Sequence, residues 1–427
     1  MKKSIILIMS FVFLLSGCKN DSVIIEEQVE ETDYQSNSDI VTTTVPTTYY
    51  SVLRAEDFSD GYAWAKFKIS DSTGAGESKW GCIDKEGNVQ FFLSDEYEYQ
   101  NKSGNYMSHS WVDDTCLVEV TGVDKSRIFD LSGNVIFETD ETYIDVLFYM
   151  DGYYAVAKHV GGFDKDEYSV CFISTKGEWS DKEWTLDGKD ILSVGYLGEG
   201  ILCYGEEFYN FNTGTTFKGS DTDLYFELRS DFSNGVCLYE NINGQYGLLY
   251  SDGRMKKTEI DISNVMYSNI EGDHVVLDNQ SEIYLYNVQI NSLDKVCTLS
   301  NDTYIENYGD LHYIDDKIFT KILGVDRNHY FTFYDRNGKM LFDPIQSEEI
   351  GNVSCDRIIT KSNNIYTVYN AEGNVVFAGD QYNTIDQYSD GVAIVGRKNY
   401  DPYYIDTEGN KLFNTITYNG ETYEPMV

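Results

Sequence analysis

Tyr404-Ile405-Asp406-Thr407-Glu408-Gly409-Asn410-Lys411-Leu412-Phe413 decides the reading of this chain. An apolar pair leads into an aspartate, a short polar link ends in glycine, and an apolar run follows. An aspartate closing a strand can accept amides of the next turn. The glycine three residues later takes the left-handed conformation that a three-residue hairpin loop with a bulge requires. The segment therefore reads as a β-hairpin. Working outward, the pattern recurs from Ile83 through Asp84 and Gly87 to Val89, from Phe129 through Asp130 and Gly133 to Val135, and from Asp335 to Gly338. Copies centred on Gly87, Gly133, Gly177, Gly214, Gly253, Gly338, Gly373 and Gly409 are separated by 46, 44, 37, 39, 85, 35 and 36 residues. The step of 85 holds two units with one degenerate copy between them.

A second element precedes the first, as in Phe58-Ser59-Asp60-Gly61-Tyr62-Ala63-Trp64 and Phe232-Ser233-Asn234-Gly235-Val236-Cys237-Leu238. It recurs at Asp151 to Ala155 and Ser389 to Ala393, with weaker forms near Asp114, Gly200, Asp273, Asp316 and Asp356. About nine units of roughly 35 to 50 residues then account for residues 51–427. Flanking runs such as Ile365-Tyr366-Thr367-Val368-Tyr369 are β-branched and aromatic, as strands prefer. No stretch of twelve residues carries apolar positions at a helical period between recognisable caps. The class is all-β. Units of this size cannot close their own apolar faces and must stack. The expected form is β-propeller-like, because the unit length fits a four-stranded blade; a β-solenoid is the alternative.

The chain holds 71 acidic and 32 basic residues, a net charge of −39, so a phosphate backbone is repelled and nucleic acid is excluded as a partner. With 15% aromatic residues it has too much burial potential to be disordered. No histidine pair has metal-ligand spacing, there is no Cys-x-x-Cys, and no calcium loop is present, so neither metal nor cofactor is expected.

The N-terminus carries Lys2 and Lys3, then apolar runs from Ile5 to Met9 and Phe11 to Leu15, too short for a stable spanning helix. Leu15, Ser16, Gly17 and Cys18 then resemble the lipobox of bacterial lipoproteins. That resemblance implies a signal peptide over residues 1–17, a diacylglyceryl group on Cys18, and attachment to the extracytoplasmic face of a bacterial membrane. Two acyl chains supply the two signals that stable anchoring needs. Residues 18–50, rich in acids and threonine, read as a tether with an r.m.s. span of about 30 to 35 Å. Cys18 apart, seven cysteines remain, an odd number; Cys82, Cys116, Cys237 and Cys355 fall in strand-like runs and are read as free thiols.

Lys79-Trp80-Gly81-Cys82-Ile83-Asp84-Lys85-Glu86-Gly87-Asn88-Val89, preceded by Phe58 to Gly61, resembles the WG repeat family, and Gln245-Tyr246-Gly247-Leu248-Leu249 is similar with tyrosine for tryptophan. The resemblance implies a repeat fold in a bacterial surface or secreted protein, and brings no catalytic residue. A membrane-anchored binding or scaffold protein is expected, with a glycan or protein of the cell envelope as ligand. The alternative is a propeller-type carbohydrate-active hydrolase using paired carboxylates. Trp179 and Trp184, bracketing the polar stretch Ser180 to Glu183, are the candidates for an exposed aromatic binding surface.

Overall fold

Short antiparallel strands joined by tight turns run through the entire described part of the computed structural model, and no α-helix occurs among the described residues. These are residues 48–93, 110–120, 125–139, 144–159, 167–187, 193–218, 226–228, 231–241, 243–258, 260, 266–267, 272–279, 282–299, 303–305, 311–396 and 402–426. Leu15, Ser16, Gly17 and Cys18, and the tether as far as residue 47, lie outside them.

The first sheet shows the repeating plan. Its strands are β1 (Tyr49–Ala55), β2 (Tyr62–Ser70), β3 (Gly76–Asp84) and β4 (Val89–Phe92), paired in chain order. Tyr49 and Tyr50 belong to β1, and Tyr50 is buried, so the body starts slightly before the expected residue 51. Nine sheets are formed by the described residues, eight of three to six strands and a ninth of two, Val392–Val395 with Tyr403–Asp406. The degenerate copy is the hairpin between Glu282–Asn287 and Ser292–Thr298, where Asn291 takes the left-handed turn conformation (φ 56°) instead of glycine.

The apolar residues explain why nine sheets make a ring. Each buried cluster is shared by two consecutive sheets: Trp64, Trp80 and Phe91 of the first meet Trp111, Cys116 and Phe129 of the second. The series continues through every junction to Tyr366 and Val368 of the eighth against Ala393 and Ile405 of the ninth. It then returns to the start, where Val392, Ile394 and Tyr404 pack with Phe58, Ala65 and Phe67. The solenoid alternative has two ends; this chain of cores has none, and the architecture is a β-propeller.

The aspartate–glycine hairpins have the predicted form. Asp84 accepts the N–H groups of Glu86 (3.0 Å) and Asn88 (2.8 Å), and Asp130, Asp335 and Asp406 repeat the arrangement. Gly87 lies at φ 90° and the β3–β4 register shifts beside it, the bulge that such a loop carries. The glycine has a second reason that sequence spacing alone does not show. A Cβ on Gly133 would stand 2.7 Å from the Phe91 ring of the preceding sheet; Gly373 meets Phe342 and Gly409 meets Phe377 in the same way. Gly253 faces Phe217, Gly338 faces Val296 and Cys297, and Gly87 faces Phe413, which follows the last strand of the ninth sheet. The last contact repeats the others across the closing junction.

Closure is completed by a C-terminal hairpin, Ile416–Tyr418 with Glu421–Pro425, whose second strand lies parallel to β1. Glu424 N–H donates to Thr48 C=O (3.1 Å), Met426 N–H to Tyr50 C=O (2.8 Å), and Thr417 N–H to Gly87 C=O (3.0 Å). Thus the two ends of the body share one sheet.

None of the seven cysteines beyond Cys18 is joined in a disulfide. Cys82, Cys116 and Cys237 are buried in strands, whereas Cys355, expected in a strand, is exposed at φ 49° in the turn after Glu349–Ser354.

Alanine at Gly133 and Gly214 should separate the two demands on turn glycines. Gly214 has φ 68°, and a Cβ there would meet nothing within 4 Å, so only the left-handed penalty of about 1–2 kcal/mol applies. Gly133→Ala adds overpacking of about 1–3 kcal/mol against Phe91. Denaturant unfolding should therefore show the larger loss for Gly133→Ala.

Candidate functional site: a circle of acidic turns

In an antiparallel four-stranded sheet the first and third turns fall at the same end, so both turn families lie on one face of the ring. The first-turn family pairs two left-handed residues, the type I′ geometry that asparagine, aspartate and glycine tolerate. Examples are Asp60-Gly61 (φ 52° and 86°), Asp151-Gly152 (44° and 83°), Asn234-Gly235 (51° and 77°) and Asp390-Gly391 (52° and 80°). Asp113-Asp114, Asp315-Asp316 and Cys355-Asp356 do the same without glycine.

These turns hold one another. Asp390 accepts the Gly61 N–H at 2.6 Å, and Asp60 accepts that of Asp114 at 3.4 Å. Glu199 takes two amides of the next turn, Asn234 and Gly235, each at 2.6 Å. The Asn234 side chain then donates to Gly272 C=O (3.2 Å) and Asp273 (2.9 Å), and Cys355 Sγ receives the Gly391 N–H at 3.2 Å. At two junctions a tyrosine relays the link. Gly152 N–H donates to Tyr149 Oη (3.0 Å), which donates to Asp113 (2.6 Å); Gly200 N–H reaches Tyr196 Oη (3.4 Å), which bonds Asp151. Burial first, and the Asp113 hydrogen bond second, push Tyr149 up to about 12; burial and Asp151 raise Tyr196, against the Gly200 N–H.

The result is a circle of fixed carboxylates with few cations against it. Lys85 bonds Asp390 (2.8 Å), Arg336 bonds Asp316 (3.3 Å), and Arg357 lies 3.5 Å from Asp356. Tyr313 donates to Asp316 at 2.6 Å and, with Arg336, keeps that carboxyl below its ordinary range. His274 accepts from Arg336 at 3.1 Å; burial and that guanidinium lower its pKa, against the pull of Asp273, Asp316 and Asp294. Such a face attracts cationic groups and turns anions away. Among the described residues no cluster of three or more histidine, cysteine, aspartate or glutamate side chains is placed to hold a metal.

Of the residues expected to form a site, the repeat aspartates and glycines sit in the second-turn family of this face, spent on turn geometry. Trp179 is exposed (43%), edge-on to Phe137 at 5.6 Å with the Lys158 ammonium 5.8 Å from its ring centre. Trp184 corrects the expectation: it is 4% exposed and stacked on Tyr209 at 5.7 Å. Both tryptophans belong to the strand Trp179–Asp187 and, being five positions apart, point to opposite faces of the sheet. The structure therefore breaks up the aromatic pair. Trp64, Trp80 and Trp111 are core. The tyrosine relays were missed because each tyrosine sits three or four residues ahead of its turn in a strand that reads as ordinary.

The fold and this face define a closed-ring β-propeller carrying an anionic circle of turns. No family model matches the chain, and no curated protein matches it. Among solved structures it is similar to the WD40 domain of SCAP from fission yeast, at 10% identity over 84% of this chain and 95% of that one, with a TM-score of 0.35. It is also similar to AztD of Citrobacter koseri (10% identity, 70% and 94% covered, TM-score 0.36) and to dipeptidyl peptidase 4 of Porphyromonas gingivalis (9%, 70% and 51%, 0.37). The architecture rests on the chain's own strand pairing rather than on these likenesses.

Tyr149→Phe leaves Asp113 and the Gly152 N–H without their shared partner and should cost about 1–2 kcal/mol in denaturant unfolding. In the parent chain Tyr50, Tyr149 and Tyr334 all have pKa values raised to about 12 in the folded state, burial being the largest cause. The sign follows: their neutral forms contribute fully below the unfolded value of about 10, and that contribution disappears as pH climbs towards 12. Unfolding midpoints measured across that window should fall, and less steeply in Tyr149→Phe.

Proposed function

We propose that this chain is a lipoprotein of a bacterial envelope, held by acyl groups on Cys18, whose WG-like propeller serves as a binding or scaffold module for an envelope protein or glycan. The observation that carries the reading is the division of labour within the repeat. Residues common to the units, the aspartates and glycines of the second-turn family, are consumed in holding the ring. Groups that differ from sheet to sheet stand on its rigid rim, and a preorganised surface of this kind loses little entropy when a partner docks. The acidic circle favours cationic patches on that partner and discourages anionic ones.

The location is supported by the charged, apolar and small-residue order that ends at Cys18. No helix among the described residues is long and apolar enough to cross a membrane. Fractionation tests the anchor: the parent chain should pellet with membranes, and Cys18→Ala should move to the soluble fraction. Retention of Cys18→Ala with membranes sinks the anchoring. For the binding role, cross-linking on intact cells should capture envelope components, and fewer of them when Asp60, Asp151 and Asp390 are replaced by asparagine. Unchanged capture removes the acidic face as the binding surface.

A further inference from the structure

A polar cleft of 270 Å³ opens between the eighth and ninth sheets, away from the turn face, and Glu349, Asn352, Lys361, Tyr366 and Gln387 line it. We propose that it binds one neutral sugar ring of a glycan. The proposal rests on the reading of the protein as an envelope-binding module and names a ligand class for it.

The cleft is made by a strand irregularity. In Glu349–Ser354, Ile350 pairs with Thr360 and Val353 with Ile358, so Gly351 and Asn352 together stand opposite Ile359. A bulge of this kind re-aims side chains. A Cβ on Gly351 would lie 3.0 Å from Ile359 O, a tight approach to backbone. The bulge leaves Asn352 exposed at the cleft, and its Oδ1 accepts the Lys321 ammonium at 2.7 Å, which directs the amide N–H groups elsewhere.

The chemistry of the lining selects the ligand. Glu349 and Lys361 face each other across the paired strands at 3.9 Å, close enough to cancel in charge and too far to hydrogen-bond. The Lys361 ammonium stands 5.2 Å over the Tyr366 ring. Tyr366 is 8% exposed beneath that ammonium, so the polar groups make the contact surface: a carboxylate acceptor, an ammonium donor and two carboxamides. Neighbouring hydroxyls on a sugar ring both donate and accept, and so match all of them. An apolar ligand would strip water from these polar groups without replacing it. An anionic one would meet Lys321 and Lys361 as well as Glu349, but on a chain of net charge −39 it is repelled at long range. Size agrees: drug-sized ligands occupy pockets of about 300–1,000 Å³, so a cleft of 270 Å³ takes a single ring.

Saturation-transfer NMR on the full chain in detergent tests this, with methyl β-glucopyranoside and methyl N-acetyl-β-glucosaminide as probes. The parent chain should transfer magnetisation to ring protons of at least one probe. Asn352→Ala and Gln387→Ala should each weaken that binding by about ten-fold, the scale of one lost hydrogen bond with its partner left unsatisfied. Met255→Ala, an exposed residue on the fifth sheet, should bind as the parent does, and matched thermal unfolding of all variants checks folding. No transfer from the parent chain to either probe overturns the proposal, as does binding unchanged from the parent's in both cleft variants. If envelope cross-linking persists without sugar transfer, the cleft fails and the binding role stands. Sugar transfer without any envelope capture defeats the binding role and keeps the cleft.

Discussion

Backbone must come within touching distance of an aromatic ring at most junctions of this ring, and everything else accommodates that demand. Where Gly133 crosses Phe91, or Gly373 crosses Phe342, no side chain of any size fits, and the left-handed turn conformation excludes most residues for a separate reason. One residue type answers both constraints. Because the contact joins one sheet to the next, it sets their spacing as well as ending a hairpin. The same logic operates inside a sheet: a Cβ on Gly81 would meet the Phe92 ring at 2.9 Å, and one on Gly247 would overlap Tyr239. Glycine next to Trp80 or Tyr246 is therefore room made for a neighbouring ring.

The turn face adds hydrogen bonds to this packing. Short side chains such as Asp60 and Asp390 reach the next turn directly, and where the gap is wider Tyr149 and Tyr196 bridge it. Charge repulsion among so many carboxylates is offset by the amide N–H groups they accept. The circle is thus anionic and rigid for the same reason. A face in which the charged atoms are already held by backbone has little freedom left to lose on meeting a partner.

Much of the architecture could be read from residues alone because turn chemistry is local. Asp84 and Gly87 act within five positions of each other, so their recurrence at Asp130 and Gly133 or Asp406 and Gly409 exposes the unit and its number. The weak copies near Asp114, Asp316 and Asp356 also hold, since aspartate tolerates the left-handed turn nearly as glycine does. What escaped were relations across the ring. Phe91, Phe137, Phe342, Phe377 and Phe413 each follow a turn glycine by four positions, a periodic signal present in the sequence whose meaning depends on the adjacent sheet. Trp184 reads as free because a polar stretch separates it from Trp179, but residues five apart in one strand face opposite sides of the sheet, so one is buried and the other exposed. The cleft beside Asn352 depends on a bulge that leaves no mark beyond one glycine.

The C-terminal hairpin completes a sheet that the N-terminal strand began, and this orders events during biosynthesis. Tyr50, Phe58 and Phe67 share a cluster with Ile416 and Tyr423, so the earliest-made part of the body cannot exclude water until that hairpin has emerged from the ribosome. A nascent chain halted before Glu421 keeps an open seam and a bare strand edge, the kind of surface that chaperones and proteases seize. Arrival of the hairpin thus acts as a latch, and copies that lack it remain distinguishable from those that carry it.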